Sequence, residues 1–289
     1  MQLNHIIVAT DFSTHSDSAI RHGMRIARST GAGLRIVHVV ETPADEEGLE
    51  SARPAVEHWH VDDQGRLAQA IEPYATEDVD IAQEVVDAPS TAEGLQLVID
   101  AQPADLVIVG STGLTGIKHT LLGSTAQKVL RTVQTHVMVA RGEPPPAGGY
   151  KRILIPTDFS VPAEKALELA VVLAAPDAQF DVVHFWRVPE ATRGDEYSDL
   201  VIDTVATSVK KRGRELIESF QGHAANATFY SVQASPQQGL AEKLDEVDYD
   251  LVVVGSAGRS KLRRWLLGSV AEHTAQIAPC AVAVARPDS

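Results

Sequence analysis

Short apolar runs alternate along this chain with segments whose apolar residues recur every three or four positions. In the first half the runs are Ile6 to Thr10, Leu34 to Val40, Ile81 to Val86, Leu106 to Val109 and His136 to Ala140. Leu106 to Val109 has no polar alternation, as expected of a parallel strand buried on both faces. Between the runs, Ile20, Met24 and Ala27 mark a helix from Ser16 to Arg28, closed by Gly31 and Gly33. Further helices are expected at Val61 to Ile71, at Ala92 to Ala101 with Leu95 and Ile99 facing inward, and at Ser124 to Leu130. Strand and helix alternate throughout. That pattern predicts an α/β unit, an open parallel sheet of five strands with helices on both faces.

The second half repeats the programme. Thr157, Asp158, Phe159 and Ser160 copy Thr10, Asp11, Phe12 and Ser13, each group closing a strand, and His184 copies His38. Gly239, Leu240 and Leu244 answer Gly94, Leu95 and Ile99, and Ala285 with Arg286 answers Ala140 with Arg141. The offset drifts from 147 at the aspartate through 146 at the histidine to 145 at the glycine loop, so two small length changes separate colinear repeats. Residues 1–142 and 151–289 therefore read as two domains, and 143–150, with three consecutive prolines and two glycines, as their linker.

Composition narrows the function classes. With 289 residues and 44% hydrophobic content, rich in Ala and Val, the chain has the makings of a small-residue α/β core. A net charge of −14 argues against a general nucleic-acid binder, while leaving room for a small phosphorylated ligand. The single cysteine, Cys280, lies in an apolar run, which excludes an internal disulfide and fits a reducing compartment. Neither a signal peptide nor a run of membrane-spanning length is evident, so a cytoplasmic protein with no membrane partner is expected. His58, Trp59 and His60 lack the third and fourth ligands a metal site needs.

The candidate chemistry lies in a loop written twice, GSTGLTGIKHTLLGS at Gly110 to Ser124 and GSAGRSKLRRWLLGS at Gly255 to Ser269. Asp105 and Asp250 mark the start of the strand before each loop, and a helix follows each. A helix start offers unpaired N–H groups and the positive end of a dipole, and glycines admit an anion close to the backbone. Each loop is thus a candidate phosphate site, although glycines at such a turn can also serve only to reverse the chain. Asp11 and Asp158 can accept hydrogen bonds from ribose hydroxyls or a base amine, or cap the next helix in competition with Ser13 and Ser160. Arg259, Lys261, Arg263 and Arg264 replace Leu114, Gly116, Lys118 and His119, so the second loop is expected to hold a polyphosphate more tightly if those cations turn inward.

With TDFS after the first strand, a histidine in the second and the spaced glycine loop in order, the chain resembles the universal stress protein family, as a tandem member over nearly its whole length. The resemblance implies two Rossmann-like universal stress protein folds in tandem, in a family of which one branch binds ATP. It implies that Asp11 and Asp158 meet adenosine, that Val39 and Phe185 contact adenine through their backbone, and that Ala9 and Pro156 stand beside them. It implies that Gly110, Gly113, Gly123, Ser124 and Thr125 hold ribose and phosphates in the first repeat. Gly255, Gly258, Arg259, Gly268, Ser269 and Val270 are implied to do so in the second. Phe185 is bulkier than Val39 and Pro156 replaces Ala9, which leaves the shape of the second base pocket open. In the family, edge strands such as His136 to Ala140 and Cys280 to Ala285 pair between domains, implying an internal pseudo-dimer and leaving a homodimer open.

The chain carries neither GxxxxGK[ST] nor GxGxxG, and no nucleophile, base and orienting acid can be assembled from it. The expected function is an ATP-binding regulatory module in the stress response, with Mg as a possible companion ion. Two other readings stay open: slow ATP hydrolysis, and an interaction protein whose loops are empty or hold another ligand.

Overall fold

The computed structural model describes residues 1–43, 60–75, 78–112, 122–187, 198–220, 226–258 and 267–287, with the backbone alone at 198–201. The first repeat runs β1 (His5–Ala9), α1 (Thr14–Thr30), β2 (Gly33–Glu41), α2 (60–71), β3 (Ile81–Ala88), α3 (Thr91–Ala101), β4 (Leu106–Gly110), α4 (Ser124–Thr132) and β5 (His136–Ala140). The second runs β6 (Tyr150–Pro156), α5 (Val161–Leu173), β7 (Ala174–Trp186), α6 (Ser198–Ser219), β8 (Ala227–Gln233), α7 (Pro236–Glu246), β9 (Leu251–Gly255), α8 (Ser269–Ile277) and β10 (Ala281–Ala285). Strand β6 starts at Tyr150, inside the segment read as linker.

Both repeats have the expected parallel α/β architecture, and their sheets join. The strand order is β3-β2-β1-β4-β5-β10-β9-β6-β7-β8, with β5 and β10 antiparallel in register Val139 with Val282 and Val137 with Val284. The two strands expected to form sheet edges thus cover each other, leaving neither with an unpaired row of backbone groups. Within each repeat the order reverses beside the first strand, between β1 and β4 and between β6 and β9. A crevice opens at the carboxyl ends of the strands at such a switch point.

Alternate residues of each strand feed two cores. Ile6, Val8, Ile36 and Ile108 face α1 and α2, and the same core continues through Ile153, Ile155 and Val253 to α5. Ile7, Val37, Val107 and Val139 face α3 and α4, continuing through Val252 and Val254 to α7 and α8. In α2, Asp63, Leu67 and Ile71 are buried at four-residue spacing, a stripe that docks the helix.

Two arginines lock the repeats together. The Arg141 guanidinium donates to the carbonyls of Ala275 (3.2 Å) and Ala278 at the end of α8, and Arg286 donates to Leu130 O (2.5 Å) in α4. Each thus satisfies carbonyls at the negative end of the other repeat's helix. Glu272 of α8 accepts from Gln127 and Arg131 of α4, at 2.8 and 2.5 Å.

Candidate nucleotide site

The TDFS segment makes one compact turn in both repeats. Thr10 Oγ1 accepts from Phe12 N (3.1 Å) and Asp11 Oδ1 from Ser13 N (3.1 Å); Thr157 Oγ1 accepts from Phe159 N and Asp158 Oδ1 from Ser160 N, both at 3.0 Å. The residue between, Phe12 or Phe159, has φ 63° or 61°, the left-handed region that large side chains rarely occupy. Ser13 accepts from Ser16 N at 3.2 Å and so caps α1, which settles the competition there: the serine caps and the aspartate braces the turn. Ser160 makes no such side-chain bond at α5. Burial alone would raise the Asp11 pKa, but hydrogen bonds from Ser13 and Ser16 outweigh it and hold the carboxyl below its ordinary value.

Across the switch point, the glycine loop closes in the same way twice. Gly123 N donates to Ser111 O (2.8 Å) and Gly268 N to Ser256 O (2.7 Å). Gly123 and Gly268 then occupy the N-cap positions of α4 and α8, and among the described residues no side chain caps either helix. The first N–H groups of each helix, on Ser124, Thr125, Ser269 and Val270, therefore have no intrahelical carbonyl and, among the described residues, no capping side chain. That is the arrangement an anion completes.

The first glycine of each loop also has a packing task. A Cβ at Gly110 would stand 2.8 Å from His15 O, and one at Gly255 2.7 Å from Pro162 C, so these glycines let the first turn of α1 or α5 press against the strand end. Gly258 sits against the site aspartate. A Cβ there would stand 3.0 Å from Asp158 Oδ2, so the loop backbone lies against the carboxylate.

In the second repeat these parts converge on one cavity of about 250 Å3. Pro156, Asp158, Phe185, Gly255, Gly258, Gly268, Ser269 and Val270 all line it. Arg259 lies outside the described residues, as do Gly113, His58 and Trp59. In the first repeat Ala9 and Asp11 close β1, Val39 lies in β2, Gly110 ends β4, and Gly123, Ser124 and Thr125 open α4, the same stations of the same topology. The bulk of Phe185 is taken up by α7: its ring edge occupies the space where a Cβ on Gly239 would stand 2.4 Å away, as Val39 does at Gly94.

The sequence model of the universal stress protein family matches residues 2–141 and again residues 149–286. The chain belongs to the universal stress protein family. A universal stress protein of Mycolicibacterium smegmatis is 28% identical, covering 98% of this chain and 97% of its own length. Universal stress protein YxiE of Bacillus subtilis is 30% identical over 47% of this chain and 99% of its own, so one such protein spans about one repeat. The crystal structure of a universal stress protein from Archaeoglobus fulgidus superposes with a TM-score of 0.68 at 17% identity, covering all of both chains, and shares the fold.

Pro236 and Ala163 also line the cavity and were missed by the sequence reading. The signal for Pro236 was present, because Ser235 followed by proline marks a helix start, and Ser235 does cap α7 by accepting from Gln238 N at 3.3 Å. Among the described residues no three His, Cys, Asp or Glu gather as metal ligands; His60 instead contacts Asp87 at 3.4 Å. No helix among them is long and apolar enough to cross a membrane.

Proposed function

We propose that this universal stress protein is a cytoplasmic regulatory module of the stress response that binds an adenine nucleotide, ATP foremost, in its repeats. The observation that carries the reading is the second-repeat cavity, with a carboxylate at one wall and the uncapped start of α8 at another. The donor set fits the ligand. Asp158 can accept from ribose hydroxyls or a base amine, and the N–H groups of Ser269 and Val270 suit phosphate oxygens. A bound nucleotide supplies a polyphosphate, with Mg as its natural counter-ion, and a base with its ribose.

Binding without turnover is the form of the proposal. Among the described lining residues Asp158 is the one titratable side chain, so they supply no acid and base pair. Occupancy would then signal through shape and charge at the strand ends, within an internal pseudo-dimer joined through β5 and β10. The test is mass spectrometry of small molecules released from the purified protein, counted per chain, followed by ATP titration of the emptied protein. One or two adenine nucleotides per chain, or saturable rebinding, is the expected result. Neither release nor rebinding would leave the interaction-protein reading in its place.

A further inference from the structure

The turn that carries each site aspartate holds an aromatic residue where glycine would sit without strain. Phe12 at φ 63° and Phe159 at φ 61° occupy the same position of the two repeats. An L side chain in this region is strained relative to glycine. Contacts made by the ring must offset that cost.

Those contacts recur in detail. The Phe12 ring lies 4.4 Å from the His38 ring and 4.2 Å from the Arg66 guanidinium, and the Phe159 ring lies 4.7 Å from His184 and 4.4 Å from Arg212. Each imidazole is tied back to the turn, His38 Nδ1 to Thr10 O at 2.8 Å and His184 Nδ1 to Thr157 O at 2.6 Å. Strand, turn and covering helix thus close a loop of contacts around the phenylalanine. With the chain reversed at that residue, the next serine N–H meets the aspartate Oδ1 and fixes the carboxylate.

We propose that Phe12 and Phe159 are positioning residues: ring contacts to histidine and arginine hold the left-handed turn, and the turn aims Asp11 and Asp158 at the ligand. The inference rests on the nucleotide reading above and adds the residues that set its adenosine side. It also links α2 and α6 to the sites, because Arg66 and Arg212 belong to those helices.

The test uses the full chain with Phe12→Gly and Phe159→Gly combined, since glycine keeps the turn accessible while removing the rings. Calorimetry with ATP, adenosine and inorganic tripolyphosphate is run beside thermal melting. ATP and adenosine should both weaken by about tenfold, the worth of a misplaced charged hydrogen bond, while tripolyphosphate binding stays the same. Tyrosine at both positions should restore wild-type affinity. Arg212→Gln, at an exposed position of α6, repeats the test without touching the turn and should weaken adenosine about two- to threefold at an unchanged melting temperature. Wild-type affinities in the glycine variant with only a lower melting temperature would make the rings mere packing and overturn the inference. Equal weakening of all three ligands would overturn it too. Wild-type protein that binds neither ATP nor adenosine would overturn the nucleotide reading itself, and this inference with it.

Discussion

The two repeats keep the same turn, the same uncapped helix start and the same glycine contact, and differ in the charges around them. Glu41 at the end of β2 accepts from Thr91 N and Thr91 Oγ1, both at 3.0 Å, and so occupies the start of α3. Its counterpart is Arg187, and the counterpart of Thr91 is Pro236, which lines the second cavity. Beneath the turn, Asp63 contacts His38 Nε2 at 3.3 Å and Arg66 Nη1 at 2.7 Å, where the second repeat has the buried Val209. At the seam, buried His22 meets Tyr150 Oη at 2.7 Å, whereas the pseudo-symmetric pair is Leu169 and Leu3. Backbone geometry is shared where it builds a site, and side-chain charge diverges where it tunes one. On the proposed nucleotide reading, a carboxylate at the end of β2 in the first repeat and a guanidinium after β7 in the second would favour a polyphosphate in the second repeat.

The largest expected effect tests what the repeats share. Gly110→Ala and Gly255→Ala each place a Cβ under 3 Å from helix backbone, and each should cost about 3 kcal/mol in urea denaturation. Equal costs would confirm that the contact belongs to the fold; a cost at one repeat alone would break the symmetry.

His22 sharpens the comparison at the seam. Burial depresses its pKa to about 4 from 6.5, so the folded state favours the neutral ring. Stability from this group is complete above pH 6.5 and is lost as pH falls toward 4, by roughly 2–3 kcal/mol. His22→Leu, copying Leu169, should flatten that part of a stability-versus-pH curve measured by thermal melting. An unchanged slope would place the acid sensitivity elsewhere.

Asp63→Val replaces the buried carboxylate that meets His38 and the half-exposed Arg66 with the apolar residue of the second repeat. Arg66 and His38 lose their carboxylate, and denaturation at neutral pH should show a loss of about 1–2 kcal/mol. Smaller still is the effect of exchanging the charges at the ends of β2 and β7. Glu41→Arg should strengthen and Arg187→Glu weaken ATP binding about two- to fivefold at low salt, and both changes should shrink in 0.5 M salt. Titrations that give wild-type affinities for both variants would remove these charges from the account.

Much of this was legible in sequence because the repeat supplied its own control. The alternation of strand and helix followed from short apolar runs, and the two-repeat division from TDFS and the glycine loop recurring in register. The role of Gly110 and Gly255 was not legible, since a glycine that admits a ligand and one that admits a helix leave the same letter. Arg141 and Arg286 stood out as a repeated pair, yet their partners, 134 to 156 positions away, come into reach once β5 and β10 join the repeats. Asp63 against Val209 was hidden for a related reason. Those residues face the turn from helices whose docking depends on packing, not on local pattern.

The most direct test is calorimetric titration of ATP into wild-type protein, Asp11→Ala and Asp158→Ala. The account predicts that Asp158→Ala removes the tighter binding, by about tenfold or more, while Asp11→Ala leaves it in place. Asp158→Ala protein that binds ATP as the wild type does would contradict it.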